Sequence, residues 1–305
     1  MSKQLPFYLR QQPKLNNDPA EWLPGFETDS QAAQRYEARG RLMFTKNSMS
    51  QPNFYWCAEA SPCDSAACPP CMREFRVWLV DAGITLFEES LGELSAASLV
   101  HYSWSRRPGD LNGFDLDRAK RQMARHLDRA GLGDLVAIGG FDFSYNQPAD
   151  GSIPYWQPHA YVIFQGIEQE ALKQALRPFY PTTAEIPRPV RTRSVTEPME
   201  ALSYAVKAMF WRRSSYWDGR SNTRSLPLLP RAKRELLAYL DQHRPVDQLF
   251  LKNVRRQGVS LAPTTPLARS GLKPDDPNRR TKVTGAQLVT EKKRLRAQIA
   301  RQNPS

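Results

Sequence analysis

The chain lacks any run approaching the ~20 consecutive apolar residues that a membrane-spanning helix needs. It also lacks a secretory pattern: Met1–Pro13 is polar, with no apolar stretch long enough for the core of a signal peptide, so a cytoplasmic location is expected. Acidic residues are in deficit, 31 Asp and Glu against 43 Lys and Arg, which leaves a net charge of +12. That surplus points to a polyanionic partner, because cationic side chains bind phosphates by releasing condensed counterions. Glycine is outnumbered by proline, 16 to 25, which predicts long connections and at least one poorly ordered end. Cysteine is limited to four residues, all between Cys57 and Cys71, and no internal repeat is present.

With 305 residues the chain can hold one sizeable core and a smaller module or tails. Residues 1–50 read as a polar arm with a short helix at Gln31–Gly40. Residues 51–93 hold the cysteines and a linking helix, Met72–Gly92. Residues 94–250 read as the main domain: strand Ser95–Arg106, helix Asp115–Ala130, strands Leu135–Tyr145 and Trp156–Phe164, helix Gln169–Phe179, strand Val190–Val195, then helices Pro198–Trp211 and Ala232–Gln242. Neighbouring strands with helices gathered on one face suit an α+β sandwich better than a doubly wound sheet. Residues 251–305 carry thirteen Lys/Arg against three Asp/Glu and read as a flexible basic tail that scans phosphate backbones.

The cysteines are spaced Cys57-x5-Cys63-x4-Cys68-Pro-Pro-Cys71. Four clustered thiols without a secretory signal suit metal ligation better than disulfides, and four thiolates suit a closed, structural zinc site. Zinc would fold a segment too small to hold its own core. Arg73 and Arg76, just beyond, are expected on the DNA backbone.

Two further segments carry chemistry. In Tyr155-Trp-Gln-Pro-His159-Ala-Tyr161-Val-Ile163-Phe, residues His159, Tyr161 and Ile163 share one strand face. Asp142 lies in the preceding strand, and a hairpin would bring its carboxylate beside His159, giving two ligands for a divalent cation that polarises a phosphodiester. In Leu202-Ser-Tyr204-Ala-Val-Lys207, Tyr204 and Lys207 are three residues apart, on one face of a helix. A phenol can attack phosphorus, and a lysine beside it can neutralise charge developing on the phosphate oxygens. Beyond them, Trp211, Arg212, Arg213 and Trp217 interleave aromatics with arginines, which suits stacking on single-stranded bases. The other histidines, His101, His126 and His243, read as structural or surface residues.

These segments resemble the replication initiators of rolling-circle plasmids in the HUH endonuclease superfamily. Those proteins carry a Pro-preceded strand with two histidines, an acidic residue in the strand before it, and a Tyr-x-x-Lys helix about forty residues later; some carry a cysteine-rich zinc module ahead of the nuclease. The resemblance covers roughly residues 55–215. It implies an antiparallel, ferredoxin-like palm and a Mg²⁺ or Mn²⁺ ion held by Asp142 and His159. Tyr161 stands where the second histidine belongs, which leaves water and substrate oxygens to complete the coordination. It further implies attack by Tyr204 on one strand of origin DNA, single-stranded at the nick site, giving a 5′-phosphotyrosyl intermediate and a 3′-OH primer. Ala208 in place of a second tyrosine suits plasmid-type initiators, with host helicase and polymerase as partners. The alternatives are a non-catalytic zinc-containing DNA-binding regulator or decayed initiator, favoured by Tyr161, and an HUH-type transposase.

Overall fold

A computed structural model describes residues 6–9, 18–21, 23, 25–43, 52–88, 92–207, 209–217 and 221–264, except for the side chains of Trp217 and Ser221. Residues Met1–Thr265 group as one compact unit. The remainder of the expected basic tail, residues 265–305, lies outside the described residues.

The protein is α+β. Its helices are α1 (Asp29–Met43), α2 (Pro69–Glu88), α3 (Leu116–Arg129), α4 (Gln169–Leu176), α5 (Pro198–Ala205) and α6 (Pro230–Leu240). Its strands are β1 (Leu94–Leu99), β2 (Ala137–Gln147), β3 (Tyr155–Gln165), β4 (Val190–Ser194), β5 (Trp211–Trp217), β6 (Ser221–Pro227), β7 (Leu249–Lys252), β8 (Val254–Gln257) and β9 (Ser260–Pro263).

Local chemistry sets several boundaries. Asp115 caps α3 by accepting from Arg118 N at 2.8 Å, and Leu116, Ala119, Met123 and Leu127 form its buried stripe. The helix stops at Gly131, whose φ of +75° lets Leu132 N return to Leu127 O at 2.9 Å. α2 starts on Pro69, where a missing N–H costs nothing, and is buried on nearly every side, which makes it the central helix.

β4, β1, β3 and β2 lie side by side and antiparallel. The outer edge of β2 is divided: residues 137–140 pair antiparallel with β7, and residues 145–147 pair parallel with β5, which continues into β6. The sheet is therefore mixed, not antiparallel throughout. Helices also lie on both faces, not one. Gly140 and Asp142 face α5, whereas Phe141 and Phe143 point the other way, Phe141 towards Trp104 and Phe143 towards Tyr239 of α6, with ring centroids 5.3 Å apart in each pair.

Three more expectations change. The strand expected over Ser95–Arg106 ends at Leu99 and gives way to a 3-10 turn at Tyr102–Trp104. The polar arm is packed down: Tyr8, Leu23 and Phe26 are buried, with Phe7 edge-on to Trp78 at 4.8 Å. The tail begins later than expected, because residues 251–263 complete β7 and form the β8–β9 hairpin, which turns at Gly258 with φ +64°. Among the described residues no helix is long and apolar enough to cross a membrane.

Candidate active site and cysteine cluster

The β2–β3 ladder places Asp142 directly opposite His159, and Asp142 Oδ2 lies 3.3 Å from His159 Nε2. Two rungs along, on the same face, Tyr161 lies opposite Gly140. Gly140 is the reason α5 can come so close: a Cβ there would sit 2.5 Å from Ala205 O and 2.6 Å from Val206 Cγ2. The end of α5 rests on this bare stretch of strand and carries Tyr204 onto Tyr161, ring centroids 4.9 Å apart at 72°. Sequence reasoning passed over Gly139-Gly140, although paired glycines inside a strand are a signal of close backbone approach.

Helix α5 stops at Ala205, well short of the expected Trp211, and Val206 is extended at φ −129°, ψ 105°. Tyr204 and Lys207 therefore do not share a helical face. They meet because the chain turns Lys207 back into the site, where its Nζ lies 2.9 Å from Asp142 Oδ2 and 3.7 Å from the centroid of the Tyr204 ring. Phe143 N donates to Asp142 Oδ1 at 2.7 Å. Burial opposes the charge on Asp142, but Lys207 and then His159 overcome it and hold the carboxyl well below the ordinary range. Burial likewise opposes the charge on Lys207; Asp142 and the Tyr204 hydroxyl outweigh it and raise its pKa. Tyr161 is buried, which raises its pKa, and its hydroxyl accepts from Arg193 Nε at 3.0 Å and Nη2 at 2.7 Å. Nothing in the sequence pattern marked Arg193 as part of this group.

Tyr204 is 44% exposed. It stands in a cleft of about 390 Å³ whose walls include Asp142, His159, Lys207, Met209, Trp211 and Arg213. Exposed Trp211 and Arg213 alternate with Arg212 along β5; Arg212 instead donates to Gln147 Oε1 at 2.7 Å, beside the β2–β5 pairing. The side chain of Trp217 lies outside the described residues. Comparison with protein-family models, curated proteins and solved structures yields no significant match.

Arg73 and Arg76 are not poised on a phosphate backbone. Both are buried. Arg73 pairs with Asp18 at 2.5 Å and with Asp29 and Glu74 at 2.9 Å. Arg76 lies 4.3 Å over the Phe26 ring and donates to Ser203 O at 3.1 Å, with Glu27 3.6 Å away. These guanidinium groups bind the N-terminal segment and α5 to α2.

The four cysteines do converge. Their sulfurs all lie within 4.8 Å of one another, with Cys57–Cys71 at 3.6 Å and Cys63–Cys71 at 3.7 Å. Four thiolates ~2.3 Å from one zinc ion would sit ~3.8 Å apart at the corners of a tetrahedron, so the cluster fits a metal such as zinc. One carboxylate organises the surrounding loop. Asp241, at the end of α6, accepts from Asn53 N at 2.6 Å, Phe54 N at 3.1 Å and Ser65 Oγ at 2.6 Å, while Ala66 N donates to His243 O at 2.8 Å.

Proposed function

We propose that this protein binds single-stranded DNA at an origin and nicks it through Tyr204, in the manner of a rolling-circle replication initiator. The observation that carries this reading is an exposed phenol standing in a cleft with an ammonium 3.7 Å over its ring and an Asp–His pair behind that ammonium. In the reaction, Tyr204 Oη bonds to phosphorus and the P–O3′ bond breaks. The proton lost by the phenol is matched by the proton gained by the 3′ oxygen, so one phosphodiester replaces another. The products are a 5′-phosphotyrosyl protein and a free 3′-OH. Lys207 compensates charge on the phosphate oxygens, Trp211 offers a stacking face for an unpaired base, and Arg213 offers a phosphate contact. The +12 net charge supports the choice of a nucleic acid over a small anion.

Cys57, Cys63, Cys68 and Cys71 would hold a zinc ion that crosslinks the loop to the start of α2. With all four positions filled by thiolates, no site remains for water, so the role is structural. Because α2 packs on α5, an intact cysteine cluster would also steady the helix that bears Tyr204.

The test is a 3′-labelled single-stranded oligonucleotide pool incubated with the protein and resolved on a denaturing gel. A labelled protein band that vanishes in Tyr204→Phe is the expected result. DNA binding with no covalent band, in every buffer, would instead favour the non-catalytic DNA-binding regulator, the reading to which the closed Asp142 carboxylate lends weight.

A further inference from the structure

Asp142 sits where a catalytic cation would have to bind, yet its carboxylate is already engaged. Oδ2 is shared by Lys207 Nζ at 2.9 Å and His159 Nε2 at 3.3 Å, and Oδ1 accepts Phe143 N at 2.7 Å. The next position along the face, Tyr161, presents a phenol whose oxygen already takes two hydrogen bonds from Arg193. A divalent ion placed against Asp142 would share its oxygen with one ammonium and find a phenol bound to a guanidinium as its next neighbour. Mg²⁺ asks for near-octahedral oxygen coordination and for ligands free of competing cations. Among the described residues, only the four cysteines form a group of three or more metal-binding side chains. The Asp142 site does not fit a divalent cation.

We propose that the cleft holds the phosphodiester without a divalent cation, the Lys207 ammonium supplying the positive charge and Asp142 with His159 holding that ammonium in place. The proposal rests on the tyrosine reading above. The Lys207 ammonium would be shared between Asp142 and the singly charged phosphodiester, and Arg213, on the wall of the same cleft, brings a second positive charge. The position of Nζ over the Tyr204 ring puts the ammonium beside the phenol that attacks. Asp142 and His159 are then positioning residues, and the transesterification proceeds as written above, with no further reactant.

The experiment uses the full chain with its zinc content checked by metal analysis, freed of other cations on a chelating resin. Two quantities are read: Mn²⁺ binding by electron paramagnetic resonance, and covalent adduct on a 3′-labelled single-stranded oligonucleotide pool. The wild-type protein leaves the Mn²⁺ spectrum that of the free ion. Its adduct yield changes by less than about twofold when Mn²⁺ or Mg²⁺ is added. Lys207→Ala lowers the metal-free adduct rate by about 10²–10³-fold, while Lys207→Arg, which keeps the charge, retains metal-free adduct formation. Adduct that forms in the wild type only with Mn²⁺ or Mg²⁺ overturns the proposal, as does Mn²⁺ binding that disappears in Asp142→Asn. No adduct in any buffer overturns the tyrosine reading instead, and the Mn²⁺ titration still decides whether Asp142 is closed to the cation.

Discussion

Replacing Gly140 by alanine tests how the site is built. The added methyl would lie 2.5 Å from the Ala205 carbonyl oxygen and 2.6 Å from a methyl of Val206, so it meets the backbone that carries Tyr204 and Lys207. Neither β2 nor α5 can give way cheaply, because β2 is held on both edges and α5 is packed on α2. Overpacking of this kind costs about 1–3 kcal/mol. At about 2–4 °C per kcal/mol for a unit of this size, Tm should fall by roughly 2–12 °C. The comparison is Gly40→Ala in α1, where a Cβ meets nothing within 4 Å and helix propensity favours alanine by up to about 1 kcal/mol. Differential scanning fluorimetry should show shifts of opposite sign, and adduct formation should fall only in Gly140→Ala. A Gly140→Ala protein that melts within about 1 °C of the wild type and retains full activity would refute the claim that strand and helix are in contact there.

The Asp142–Lys207 pair gives a pH signature. Because the folded pKa of Asp142 is depressed, its contribution is present above an unfolded value of ~3.9 and lost as pH falls below it. Because that of Lys207 is raised, its contribution is present below ~10.4 and lost as pH rises through the folded value. Urea midpoints against pH should therefore fall at both ends. Asp142→Asn should flatten the acid limb and cost about 3 kcal/mol at neutral pH by leaving Lys207 without its partner. A second acid effect begins higher: burial, then His101, lowers His126 to about 4, so stability drops as pH falls from ~6.5 towards 4, and His126→Phe should shrink that slope to the share left by His101, which burial also lowers. Cys71→Ser should take zinc stoichiometry from one per chain to near zero, and a chelator should lower the Tm of the wild type but leave that of the variant unchanged.

What the sequence made legible was local. The helix expected over Asp115–Ala130 is set by residues within one or two turns of each other, and α3 runs Leu116–Arg129. The Asp142–His159 pairing follows from alternation along two strands joined by a short turn, and the cysteine cluster from spacing alone. What stayed hidden was non-local. Ala205-Val-Lys-Ala-Met consists largely of good helix formers, yet contact with Gly140, sixty-five positions earlier, accompanies an end to the helix at Ala205. Arg73 and Arg76 read as surface cations because Asp18, Glu27 and Asp29, which compensate them, lie far back in a segment with little periodicity of its own. The Trp211–Trp217 segment read as a helix end followed by a stacking patch. Its strand character rests on antiparallel pairing with β6 along Trp211–Trp217, across Asp218-Gly219-Arg220, whose Asp-Gly is a local hairpin signal that went unread; only the shorter parallel pairing with β2 is non-local.

The carboxylate of Asp241 also sets an order of events during synthesis. The cysteine loop borrows its acceptors from residues 241 and 243, so Ser65 waits for a partner 176 positions later in the chain. As the polypeptide leaves the ribosome, all four thiols emerge long before the acid that fixes their loop. The native hydrogen bonds of this loop can therefore form only after α6 has been made, and the stretch from Asn53 to Cys71, lifted out alone, would lose the acceptors that Asp241 and His243 supply.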